Sequence, residues 1–161
     1  MKEIQLTQGK VALVDDDDFE YLNQWKWQAC QKRNNKYYVG RTDYKVKGKK
    51  NRIWMHRLIM KPFENFIIDH IDGNGLNNQK NNLRICTHSQ NLMNRCKNIN
   101  NTSGYKGVVY NKLDKKYRAK IYFNSKCISL GRYINPIDAA RAYNQAAQKY
   151  HGEFAKLNIL D

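Results

Sequence analysis

Phe66-Ile67-Ile68-Asp69-His70-Ile71-Asp72-Gly73-Asn74-Gly75 is the stretch from which this chain is best read. An apolar run leads straight into an Asp-His pair, and Gly73 and Gly75 permit a tight loop after it. Downstream, Asn81 and Asn82 precede a second short apolar stretch, Leu83-Arg84-Ile85-Cys86, which reads as a strand. Thr87 and Gln90 have the T-x-x-Q spacing of a capping box, so a helix is predicted to begin there, with Asn91 in its first turn or so. The product is strand, loop, strand, helix, an order in which Asp69, His70 and Asn91 can converge.

These groups suit hydrolysis of a phosphodiester. Carboxylate and amide oxygens favour a hard cation such as Mg2+, with Mn2+ as the alternative. An imidazole titrates near neutrality and can take a proton from water as general base. A zinc site is not expected, since no cysteine lies beside His70 and Cys86 alone cannot complete one. Arg84 and Arg95 are candidates for phosphate contacts. The other histidines read more plainly. His56 stands in Met55-His56-Arg57-Leu58, where phosphate contact and helix packing are equally open; His88 sits at a helix start; His151 lies near the end of the last helix. Asp72, followed by Gly73, reads as a turn residue.

Working outward, ten of the thirty residues from Asp72 to Asn101 are asparagine. Asn amides compete for local backbone bonds, so this segment is either loop-rich or a site built from amides. Its tail lacks apolar periodicity, and residues 97–103 are taken as a linker. Residues 104–161 follow as a small unit. Tyr105–Tyr110, Lys116–Tyr122 and Lys126–Leu130 are predicted as strands. In the second, Tyr117, Ala119 and Ile121 share one face, while Arg118, Lys120 and Tyr122 share the other. Asn135 can cap a helix with Pro136 at its first position, and Ala139, Ala140, Tyr143, Ala146, Ala147 and Tyr150 recur along one face up to Gly152. A three-stranded sheet covered on one side by a helix follows. Residues 1–50 look β-rich, from Lys10–Val14 through Trp25 and Trp27 to Tyr37-Tyr38-Val39. The run Asp15–Asp18 is read as a solvated turn or helix start in preference to a metal site.

Lys and Arg number 29 against 14 acidic residues, a net charge of +15, and residues 21–161 alone carry +19. A charge that large on a small body calls for an anionic partner, nucleic acid first and an anionic membrane second. No apolar run approaches the ~18–20 residues that span a bilayer, and Met1–Lys10 lacks the apolar core of a signal peptide. The four cysteines show no C-x2-C spacing, and reduced thiols in a cytosolic compartment are expected, a hidden disulfide being the other reading.

The order Asp-His, Asn, Asn resembles the HNH endonuclease family. The match runs from about Trp54 to Asn94 through MHRLIM, IIDHIDGN, NNLRICT and SQNLMNR, and it looks most like the HNH proteins of phages and mobile introns. The resemblance implies a ββα-metal module over residues 51–96, with Asp69 as a metal ligand and His70 as general base. Asn82 would hold the loop so that His70 points correctly, and Asn91 would be the second protein ligand. The last position is Asn91 where the family's name has histidine, as in its asparagine-ended branch. Residues 104–158 resemble the plant ethylene-response-factor DNA-binding domain, through YKGVVY, KYRAKI, LGRY and DAARAYNQAAQKYHGEFAKLN. That resemblance implies a sheet face that enters the major groove, with Lys106, Tyr110, Lys112, Arg118, Lys120 and Tyr122 as readers. The plant proteins carry arginines and tryptophans where this chain does not, so their target sequence is not carried over.

The expectation is therefore an α+β protein: a β-rich N-terminal segment (1–50), a central HNH nuclease module (51–96), the linker, and a DNA-binding sheet on one helix (104–161). Its partner would be double-stranded DNA and not a membrane, its place the cytoplasm of a bacterial host of a phage or mobile element. It would act as a monomer, a dimer staying open. The alternative is a non-catalytic DNA-binding regulator that keeps the HNH fold as scaffold.

Overall fold

The computed structural model describes residues 1–32, 35–43 and 51–160. The chain is α+β, and it divides into two compact units, Met1–His88 and Ser89–Asp161. The segment that closes the expected N-terminal region, residues 44–50, lies outside the described residues.

In the first unit, β1 (Lys2–Gln5) pairs antiparallel with β2 (Val11–Val14), Ile4 facing Ala12. Helix α1 (Asp16–Leu22) follows directly, with Asp16, Asp17 and Asp18 in its first turn. Negative charge is favoured at that end of a helix, so the aspartate run is a helix start. Strands β3 (Gln28–Gln31), β4 (Tyr37–Asp43) and β5 (Asn51–Trp54) form an antiparallel sheet in sequence order. The sheet thus includes Asn51–Trp54, which belong by sequence to the expected central module. Helix α2 (Met55–Met60) leaves β5 without a break and ends at Lys61, whose φ of 44° is left-handed. Then β6 (Ile67–His70) and β7 (Leu83–Cys86) make a two-stranded hairpin in which Asp69 stands opposite Arg84 and His70 opposite Leu83. Ile4, Ala12, Val14, Leu22, Trp27, Val39 and Met55 form the core. Burial of apolar groups of this size is the main stabilising term, about 1.5–3 kcal/mol for each large side chain.

The second unit opens within α3 (His88–Met93), one residue past Thr87, where the capping pattern predicts a helix. Strands β8 (Val108–Asn111), β9 (Lys116–Phe123) and β10 (Lys126–Tyr133) form an antiparallel sheet with β9 in the middle. Helix α4 (Pro136–His151) packs on it. Asn135 caps that helix, its side-chain oxygen accepting the Ile137 N–H at 2.8 Å, and Gly152 ends it. Ala119 and Ile121 meet Ala139, Ala140, Tyr143 and Ala147, all almost fully buried. Gly107, at φ 76°, lies so close under the Tyr143 ring that a side chain there would enter it. Asn158 clips the C-terminal tail down, bonding both the N–H and the C=O of Lys106 (2.7 and 3.1 Å) while its own N–H reaches Asn144. No helix among the described residues is long and apolar enough to cross a membrane, and all four cysteines are free thiols.

Candidate active site

Asp69 and His70 close β6 and lead into the loop 71–82, whose shape is set by amides. The Asp72 carboxylate accepts the Asn74 N–H at 2.7 Å and the Asn82 and Asn77 side-chain amides at 3.0 Å each. Asn74 in turn accepts the Leu76 N–H at 3.1 Å. Such local bonds substitute for secondary structure, which is the use this segment has for its asparagines. Asp72 is thereby a turn residue. Burial pushes its carboxyl up, but the bonds from Asn74, Asn77 and Asn82 outweigh this and hold it below the usual carboxylate range.

Asn82 spans the mouth of the loop. Its oxygen accepts the Asp72 N–H at 3.0 Å, its amide reaches the Asn77 carbonyl at 2.9 Å, and its own carbonyl accepts the Ile71 N–H at 2.9 Å. The residue that follows His70 is therefore fixed from the start of β7. The loop is also strapped to β2. The Leu13 N–H meets the Leu76 carbonyl and the Asn78 N–H meets the Leu13 carbonyl. Asp15 receives the Lys80 N–H at 2.8 Å. Gly75 touches the Tyr37 carbonyl and the Tyr38 ring so closely that no side chain fits there.

His70 is 4% exposed. The His56 ring stands edge-on to it at 5.2 Å and the Tyr38 ring at 5.6 Å. Burial pulls the His70 imidazole below its ordinary value, against the opposing pull of the Asn78 side chain and the Asp72 and Asp69 charges. A neutral imidazole is the form that accepts a proton. The His56 imidazole is lowered to about 3, by burial and by the neighbouring His70 and Arg57. Burial raises the Tyr38 phenol. Asp69 is 7% exposed, and Arg84 grips it from the facing strand, Nε and Nη2 both donating to Oδ2 at 2.9 and 2.7 Å.

The structure thus brings Asp69, His70, Asn82 and Arg84 together. Arg84, expected at a phosphate, is bound to Asp69. Asn91 stands half-buried on α3 in the second unit, and Arg95 is exposed just beyond that helix. Among the described residues, no three His, Cys, Asp or Glu side chains gather into a metal cage. The Asp69 carboxylate is an oxygen donor of the type that suits a hard cation, one that takes one or two protein ligands and fills its shell with water and phosphate.

Of the expected DNA readers, Arg118, Lys120 and Tyr122 share the face of β9 away from α4, Arg118 pairing with Asp114 at 3.1 Å. Lys112 is exposed in the β8–β9 turn. Tyr110 stands opposite Tyr117, on the helix side of the sheet, with ring centroids 5.0 Å apart. Lys106 is half-buried, its ammonium donating to the Met93 carbonyl, and burial lowers it to about 8. Sequence reasoning missed Arg132, which faces Arg118 across β10 and shares Asp114 at 3.2 Å. It also missed Tyr38, and left His56 undecided between phosphate and packing. Both proved to be neighbours of His70 through pairings distant in sequence.

Comparison with known proteins adds the following. Residues 54–93 match the model of a family described as HNH endonuclease. An uncharacterized HNH endonuclease of Acanthamoeba polyphaga mimivirus is 31% identical over 159 residues, 95% of this chain and 77% of the relative. Protein 3.8 of Escherichia phage T7 is 31% identical over 91 residues, 56% of this chain and 74% of that protein. No solved structure matches the chain.

Proposed function

Because the chain belongs to the HNH endonuclease family, we propose that it is a metal-dependent DNA endonuclease of the type carried by phages and mobile introns, working in the cytoplasm of a host cell. The observation that carries this reading is the Asp69–His70 pair at the end of β6, with Asn82 locking the loop behind it. His70 takes a proton from the attacking water. Burial favours its neutral form, and the rings of Tyr38 and His56 pack against it. HNH endonucleases generally use a divalent metal. Asp69 and Asn91 would hold one Mg2+ or Mn2+, whose chemistry when bound is to draw charge from the scissile phosphate and the departing 3′ oxygen. The products would carry 5′-phosphate and 3′-hydroxyl ends. One active centre per chain cuts one strand, so a monomer nicks.

The sheet β8–β10 would place this chemistry on double-stranded DNA through Arg118, Lys120 and Tyr122, with Arg132 beside them. A second reading, a non-catalytic DNA-binding regulator on the same scaffold, draws on the covering of His70 and on Arg84 holding Asp69. Supercoiled plasmid separates the two. The nuclease yields open circles in Mg2+ or Mn2+ and none in chelator. Plasmid left supercoiled across several metals and DNA substrates would leave the regulator standing.

A further inference from the structure

The sheet β3–β4–β5 has one face in the core and one face outside, and the outside face leads to His70. Register puts Ala29 beside Val39 in the core, and Gln28, Gly40 and Trp54 in a row on the opposite face, with Cys30 beside Tyr38 and Thr42 beside Arg52. No carboxylate stands on that outer face among the described residues of the three strands. Two cations stand over its indole: Lys32 Nζ is 4.8 Å from the Trp54 ring centroid and Arg52 Cζ is 5.7 Å from it. Gln28, Gln31, Lys32, Arg52 and Trp54 line a groove of about 500 Å³ here. Gly40 lets the Trp54 ring lie close against the sheet, since a side chain at that position would press on it.

The groove continues into the active site through aromatic rings. Trp54 stacks on His56 at 6.2 Å and 18°, and His56 stands against His70 at 5.2 Å. Tyr38 touches all three rings, at 6.4, 6.0 and 5.6 Å. Cations above an apolar platform are the arrangement that follows a nucleic-acid backbone, with phosphates on the cations and sugar or base on the ring.

We propose that this face is a DNA-binding track, on which Lys32 and Arg52 hold phosphates of the strand leading to the scissile bond while Trp54 carries its sugar or base. The proposal rests on the nuclease reading and assigns the N-terminal sheet to the substrate. Charge complementarity and continuity with the general base name the occupant.

The test uses the full chain, a mixed-sequence 30-base-pair duplex and Ca2+ for binding, then Mg2+ for nicking of supercoiled plasmid. Lys32→Gln with Arg52→Gln should weaken duplex binding about tenfold and reduce the slope of log Kd against log salt by about two, as expected for two lost phosphate contacts. Lys2→Gln with Lys10→Gln removes the same charge elsewhere on this unit and should leave the slope unchanged. In nicking, the track variant should raise KM and keep kcat within about threefold. A track variant with wild-type affinity, slope and KM overturns the proposal, as does an equal loss in the Lys2/Lys10 control. If wild-type protein does not nick but the track variant alone loses affinity and slope, the nuclease reading fails and the track stands. If wild-type protein nicks and the track variant matches it in every respect, the reverse holds.

Discussion

His56 shows how burial of one residue sets a property of the protein. Its imidazole is held at about 3, well below the ordinary 6.5 that it regains on unfolding. Between those values the unfolded chain binds a proton that the folded chain refuses. Stability from this group is therefore whole above pH 6.5 and drains away as pH falls toward 3, on the order of 3 kcal/mol lost by pH 4. Acid titration followed by tryptophan fluorescence should show this loss, and His56→Phe should move the unfolding midpoint to lower pH. Asn82 offers the opposite kind of case, one of geometry: its side chain ties the loop to Asp72 and Asn77. Asn82→Ala removes three bonds around Asp72 and Asn77 and should cut nicking by about a hundredfold while leaving duplex affinity within about threefold, read as kcat against KM. That Asp69, His70 and Asn82 stand near one another was legible from their types and spacing along strand, loop and strand. Arg84 on Asp69 was not, because it depends on a strand register that residue types do not encode.

Among elements, α4 and its sheet were open to reading from sequence. Asn135, Pro136, the alanine periodicity and Gly152 are local signals, and the helix runs between them as they imply. Asn135→Ala should lower stability by about 1 kcal/mol, measured by denaturant unfolding, with no change in nicking. Helix α2 gave no start signal: Trp54 stands at its N-cap with no side-chain bond, and the helix forms because Met55 anchors it in the core. The aspartate run needed the fold to decide it, since Asp15 turns back to brace the distant Lys80 while Asp16–Asp18 begin α1. The loop of the site likewise depends on strand β4 beneath it. Gly75→Ala would drive a methyl group into the Tyr37 carbonyl and Tyr38 ring, and should lower both the melting temperature and the nicking rate.

At the scale of the molecule, a net charge of +15 is the feature that composition alone made plain, and it points to a polyanion. Where that charge lies had to be read from strand faces. Arg118, Lys120 and Arg132 gather on one side of the second unit's sheet, whereas Lys106 is drawn inward and Tyr110 sits on the helix side. Arg118→Ala with Lys120→Ala should weaken duplex binding and flatten its salt dependence, with the catalytic rate at saturating DNA unchanged. The central claim concerns the covered imidazole at the end of β6, and it is tested most directly by comparing wild-type protein with His70→Ala. The comparison follows nicking of supercoiled plasmid in Mg2+, with duplex affinity and melting temperature measured on the same samples. The account predicts a variant that folds and binds DNA as wild type does but nicks at least about a hundredfold more slowly. Nicking by that variant at the wild-type rate would contradict it.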